Sequence, residues 1–180
     1  TYSWLVLIGH ICLGVALVLM LVGAIIAVNA FGDIYDWKTG QKAAGAHDGA
    51  GRFYDRMEMA SFLRAEECAQ IEAEQEARRP AALNTAIGIV FTNAPFKKPA
   101  LCKVAAMAHD GFARSISPVH TSGDGDSVIA LSVPGENIRA GIDSVGTLAA
   151  MAASEAILRG VRSAESAYGL PSLADMQRDG

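Results

Sequence analysis

Asn84-Thr85 sets a hydroxyl directly after a loop and directly before a strand-like run, Ala86 to Thr92 (AIGIVFT). A threonine in that position can attack the carbonyl that precedes it. The N-to-O acyl shift exchanges an amide for an ester, and hydrolysis of the ester leaves Thr85 at a new terminus with a free α-amine. An α-amine titrates near about 7.7 to 8.0, so at neutral pH it can take the Thr85 hydroxyl proton, which a lysine at about 10.4 cannot. One residue then supplies both nucleophile and base. As a bare dipeptide, Asn-Thr also reads as an ordinary turn-to-strand junction.

A second segment, His120 to Asp126 (HTSGDGD), puts Asp124 and Asp126 on either side of Gly125 beside another strand-like run, Asp126 to Ser132. Two such carboxylates can cap a turn or orient a hydroxyl or an ammonium. They are too few for Mg²⁺ or Ca²⁺, which take about six or more oxygens. Asn29 ends an apolar run, where its amide is either a turn former or a donor to a developing oxyanion. His109 and His120 have no Ser or Cys context for a triad and read as packed or hydrogen-bonded rings. Cys12, Cys68 and Cys102 are widely spaced and odd in number. They lack the pairing of a zinc or dithiol site, and buried, reduced thiols are expected.

The elements that must hold these residues follow from patterning. With 180 residues, 51% of them hydrophobic, the chain fits one domain with a sizeable core. A net charge of -4 gives no electrostatic basis for a nucleic-acid partner. Every residue from Ile11 to Val28 is apolar or glycine, and no Lys or Arg precedes Lys38. That run approaches the roughly 20 residues of a membrane helix, while its β-branched second half, Val22 to Val28, reads equally as a strand. Ile34 to Gly51 reads as a short extended piece followed by loop. Phe53 to Arg79 reads as a helix with Met57, Ala60, Leu63 and Ile71 at helical spacing and an acidic, solvated face, stopped by Pro80. Pro99 to Arg114 sets Leu101, Val104, Ala105, Ala108 and Phe112 on one helical face. In Asp143 to Arg162 the small residues Gly146, Ala149, Ala150, Ala153 and Ser154 would let a helix pack closely on a sheet. Strands alternating with one-faced helices predict layered α and β.

Four stretches together resemble the DmpA-type aminopeptidases, the L-aminopeptidase/D-esterases related to β-aminopeptidases and nylon-oligomer hydrolases. They are Val22 to Gly45 (VGAIIAVNAFGDIYDWKTGQKAAG), Asn84 to Ala94 (NTAIGIVFTNA), Met107 to Leu131 (MAHDGFARSISPVHTSGDGDSVIAL) and Asp143 to Tyr168. The resemblance implies an α+β fold, a layered αββα sandwich shared with ornithine acetyltransferases. It implies Thr85 as the nucleophile freed by scission from Asn84, Asn29 as the oxyanion-stabilising residue, and Asp124 and Asp126 as groups that orient the nucleophile and its new ammonium. It further implies small peptide, amide or ester substrates, a homo-oligomer, no cofactor and a cytoplasmic enzyme. By the same resemblance, residues 22–84 correspond to the end of the α portion with a helical linker, and residues 85–180 to the β portion. Residues 1–21 resemble nothing in the family, whose longer upstream portion supplies further active-site contacts. Two alternatives follow: an incomplete or inactive relative held at a membrane through residues 5–28, and acyl transfer of the ornithine-acetyltransferase kind.

Overall fold

The computed structural model describes residues 20–48, 51–73, 84–121, 124–135 and 138–176. Within them the fold is α+β. The strands are β1 (Val22–Ala27), β2 (Asp33–Tyr35), β3 (Lys42–Ala44), β4 (Ile87–Thr92), β5 (Ile116–Ser117) and β6 (Ser127–Ser132). The helices are α1 (Arg56–Ala73), α2 (Lys98–Ser115), α3 (Ile142–Arg162) and the single turn α4 (Leu173–Met176).

β4 is the centre of a three-stranded sheet in the order β1-β4-β6, antiparallel to β1 and parallel to β6. Alternation gives this sheet two unlike faces. Val22, Ala24, Ile26, Gly88, Val90 and Thr92 are buried on one face, beneath α2 and α3, and share it with the half-buried Val128 and Ala130. The other carries Ile25, Ile87, Ile89, Phe91, Ile129 and Leu131, of which Ile87 and Ile129 are about half exposed, at 49% and 53%. The extended backbone of Val22–Ala27 shows that the apolar run does not continue as a helix to Val28. Its part before Met20 lies outside the described residues, as does the end of the acidic segment through Arg79. Among the described residues no helix is long and apolar enough to cross a membrane.

The helix pair is held by small residues. Gly111 of α2 lies so close to α3 that a Cβ there would come 2.2 Å from the Ala150 carbonyl oxygen. The Ser154 hydroxyl donates to the carbonyls of Gly111 and Ala150 at 3.0 and 3.1 Å, fastening the crossing point. Gly111→Ala sets two effects against each other. Helix propensity alone would stabilise the protein by about 1 kcal/mol. Overpacking costs about 1–3 kcal/mol, and here the obstacle is main chain that cannot rotate aside. A lower urea midpoint is therefore expected for Gly111→Ala; a higher one would mean that the helices do not approach this closely.

In a second sheet, ordered β3-β2-β5, the short extended piece expected at Ile34 is β2, while β3 forms where a loop was expected. Its strands are two or three residues long, too short to show alternation. A buried ion pair anchors it: Lys42 Nζ lies 2.5 Å from Asp33 Oδ2, while Asp33 Oδ1 accepts the Ala46 N–H at 3.0 Å. Gly32 passes so near the following loop that a Cβ would lie 2.0 Å from the Pro118 carbonyl oxygen.

α1 begins at Arg56 rather than Phe53 because Asp55 and Glu58 form a capping box. The Asp55 carboxylate accepts the Met57 and Glu58 N–H groups, and Glu58 accepts the Asp55 N–H at 2.7 Å. Met57 and Ala60 are exposed on this helix, so their spacing does not mark a core face. Cys102 corrects another expectation, since it is an exposed free thiol. It sits with Lys103 on the side of α2 turned away from the buried Val104, Ala108 and Phe112.

Candidate active site

Three chain segments converge at Asn84-Thr85: the end of β1, the entry to β4 and the turn before β6. Asn84 makes an isolated parallel bridge with Asp124. The Thr85 N–H donates to the Asn29 carbonyl at 2.9 Å, and the Gly125 N–H donates to the Asn84 carbonyl at 3.1 Å. Both sides of the Asn84-Thr85 peptide bond are thus held by main chain from different segments, one after β1 and one before β6. The Thr85 hydroxyl lies over Gly125, because a Cβ added at Gly125 would be 2.7 Å from Thr85 Oγ1. Asn84 and Thr85 are half-buried and Asn29 is exposed.

Asp124 and Asp126 have different surroundings. Asp124 Oδ2 accepts both the N–H and the hydroxyl of Thr121, at 2.8 and 2.9 Å, which closes the turn. Asp126 has a side chain only 4% exposed. Its Oδ1 accepts the N–H of Ala86, the residue after Thr85, at 2.8 Å. Its Oδ2 lies 3.2 Å from His120 Nδ1. His120 in turn meets His109, with Nε2 3.2 Å from His109 Nδ1. Burial pushes His109 below the ordinary histidine range and the charge of His120 adds to this, against the pull of Asp126 and Asp110. Among the described residues no group of three or more His, Cys, Asp or Glu is arranged to hold a metal ion.

Thr85, Asn84, Asn29, Asp124 and Asp126, all singled out from the sequence, therefore meet in one place. The contact from Asn29 to Thr85 runs through the main-chain carbonyl. Two participants were not legible as such. Gly125 read as a turn glycine between two carboxylates, and its N–H faces the Asn84 carbonyl only because the bridge to Asp124 forms. His120 read as a packed or hydrogen-bonded ring; that reading holds, and its partners are Asp126 and His109.

The comparisons with known proteins point the same way. The family model described as peptidase family S58 matches residues 15–172. An uncharacterized aminopeptidase of Mycobacterium leprae is 34% identical over 169 residues, covering 86% of this chain and 44% of that protein. Uncharacterized aminopeptidases of Mycobacterium bovis and Mycobacterium tuberculosis are each 33% identical over 173 residues, covering 86% of this chain and 47% of theirs. The chain thus spans less than half the length of these curated relatives. On the extent of the family match and these identities, the chain belongs to peptidase family S58.

Proposed function

We propose that this chain carries the self-processing core of an aminopeptidase-type amide hydrolase, with Thr85 as the nucleophile released by scission of the Asn84-Thr85 bond. One observation carries the reading. The carbonyl to be attacked already accepts a main-chain N–H, from Gly125, while the hydroxyl of the next residue lies against that same glycine. Attack by Thr85 Oγ1 on the Asn84 carbonyl carbon develops negative charge on the oxygen that Gly125 faces, the arrangement that stabilises an oxyanion. Collapse breaks the C–N bond as the departing nitrogen takes up the proton the hydroxyl gives up, leaving the Asn84 acyl group as an ester on Thr85 and a free α-amine. Water then releases the Asn84 carboxylate.

After scission the new amine of Thr85 is in reach of the Asn29 carbonyl, an acceptor suited to an ammonium. As the free amine it takes the hydroxyl proton when a small peptide, amide or ester substrate is attacked. The Asn29 side-chain amide is assigned to the substrate oxyanion, and Asp124 and Asp126 to holding the loop and the residue after the nucleophile. The two products stay joined, since β1 before the cut pairs with β4 after it through six registered positions. The exposed face bearing Ile87, Ile129 and Leu131 supports the αββα sandwich of the resemblance, in which a second sheet covers it.

An intact-mass spectrum of the purified protein tests this directly. Two masses meeting at Asn84-Thr85 are expected. A single uncut mass that never converts, with no amidase activity, overturns the proposal.

A further inference from the structure

The loop from Pro118 to Thr121 does more than close a turn. His120 has a φ of 56°, a left-handed conformation uncommon for a residue with a side chain and kept only where the surroundings impose it. What imposes it is a run of three contacts. The ring stacks near Phe112 of α2, with centroids 6.2 Å apart and planes at 21°; its Nδ1 faces Asp126, and its Nε2 faces His109. His109 is itself edge-on to Phe112 at 5.5 Å. From His109 the connection passes through His120 and Asp126 to the N–H of Ala86, one residue beyond Thr85.

The contacts dictate where the protons are. An ionised carboxylate only accepts, so His120 carries hydrogen on Nδ1. Its Nε2 is then an acceptor, and His109 must donate from its own Nδ1. Both rings are thereby held in the Nδ1–H form, which each contact selects for the other.

Resting on the assignment of Thr85 as nucleophile, we propose that His120 is a positioning residue that fixes the Asp126 carboxylate, and through Ala86 the scissile junction, with Asp126 selecting its tautomer and His109 donating to its Nε2. The charged groups bearing on the pair are Asp126 from the β6 side and Asp110 on α2, with Asp124 engaged at Thr121 beside it. Burial holds His109 below the ordinary histidine range, which favours the neutral ring that donates from Nδ1.

Two measurements test this. In uncut Thr85→Ala protein, nitrogen-15 NMR of the imidazoles should show His120 as the Nδ1–H tautomer at neutral pH, and Asp126→Asn should abolish that preference. An Nε2–H tautomer for His120 overturns the proposal whether or not the protein cleaves itself. For scission, His120→Ala should slow the reaction at least 10-fold. His120→Asn, which tolerates the left-handed backbone and offers an amide N–H to Asp126, should restore it to within about 3-fold. Equal rates for the Ala variant, or an Asn variant as slow as the Ala one, overturn the role. If the unaltered protein is not cut at all, the nucleophile assignment fails while the tautomer measurement still decides the histidine pair.

Discussion

Thr85→Ala is expected to leave a folded, permanently uncut protein without amidase activity. The contacts that hold the junction are main-chain ones, from Thr85 N–H to Asn29 and from Gly125 N–H to Asn84, and alanine keeps them both. The fold should therefore survive, with a thermal midpoint close to that of the unaltered protein. What disappears is the oxygen assigned to the attack. Removal of a covalent nucleophile lowers turnover by about 10⁶-fold in well-studied hydrolases, so activity should drop to background. Thr85→Ser, which keeps the hydroxyl, should still cut. Mass spectrometry of the three proteins side by side decides the matter. Scission that persists in Thr85→Ala would move the nucleophile elsewhere and remove the assigned roles of Asn84 and Gly125 with it.

Gly125→Ala should have the next largest effect, for a steric reason that the sequence does not display. The added methyl would lie 2.7 Å from Thr85 Oγ1. Gly125 itself is exposed and has no left-handed φ, so the backbone can accept alanine. The clash must be relieved by the threonine, whose branched Cβ leaves few χ1 alternatives, or by withdrawal of the Gly125 N–H from the Asn84 carbonyl. Misplacing a reacting group by about 1 Å costs on the order of 100-fold, and losing one oxyanion donor about 100- to 1,000-fold. Scission should accordingly slow by at least about 100-fold with little change in stability. The time course of the fragment beginning at Thr85 gives the rate. An unchanged time course would mean that the hydroxyl does not sit over Gly125 when it reacts.

Both variants act on a peptide bond held between segments that are distant in the chain. Asn84 and Thr85 are followed at once by β4, the central strand, whose register with β1 and β6 admits no slip without moving Val90 and Gly88 out from under the helices. The junction inherits that rigidity from its neighbours on both sides.

How much of this was legible depended on the range of the interaction that defines it. β4 and β6 carry alternating, β-branched runs, and α2 and α3 carry apolar faces at helical spacing, so these elements follow from local pattern. The second sheet did not. Asp33–Tyr35, Lys42–Ala44 and Ile116–Ser117 are too short for a periodic signal, and they are defined by the buried Asp33–Lys42 pair and by pairing across more than 80 residues. The start of α1 was written in Asp55 and Glu58, a local capping signal, yet the exposure of Met57 and Ala60 was not, because burial depends on what lies opposite. Cys102 fell to the same rule.

For the site, the sequence by itself determined the chemistry on offer: a hydroxyl after Asn84, two carboxylates around a glycine, an amide at Asn29 and two histidines. Covalent order sets which atoms can react across one peptide bond, and nothing in the fold is needed for that. Only the tertiary structure decided which of these groups meet and through which atoms. It turned the Gly125 N–H onto the Asn84 carbonyl and gave the Asn29 carbonyl to the Thr85 N–H. It also divided two similar carboxylates between a turn and a histidine relay. Those outcomes depend on strand register and on close approach of main chain, which are properties of packing between segments tens of residues apart.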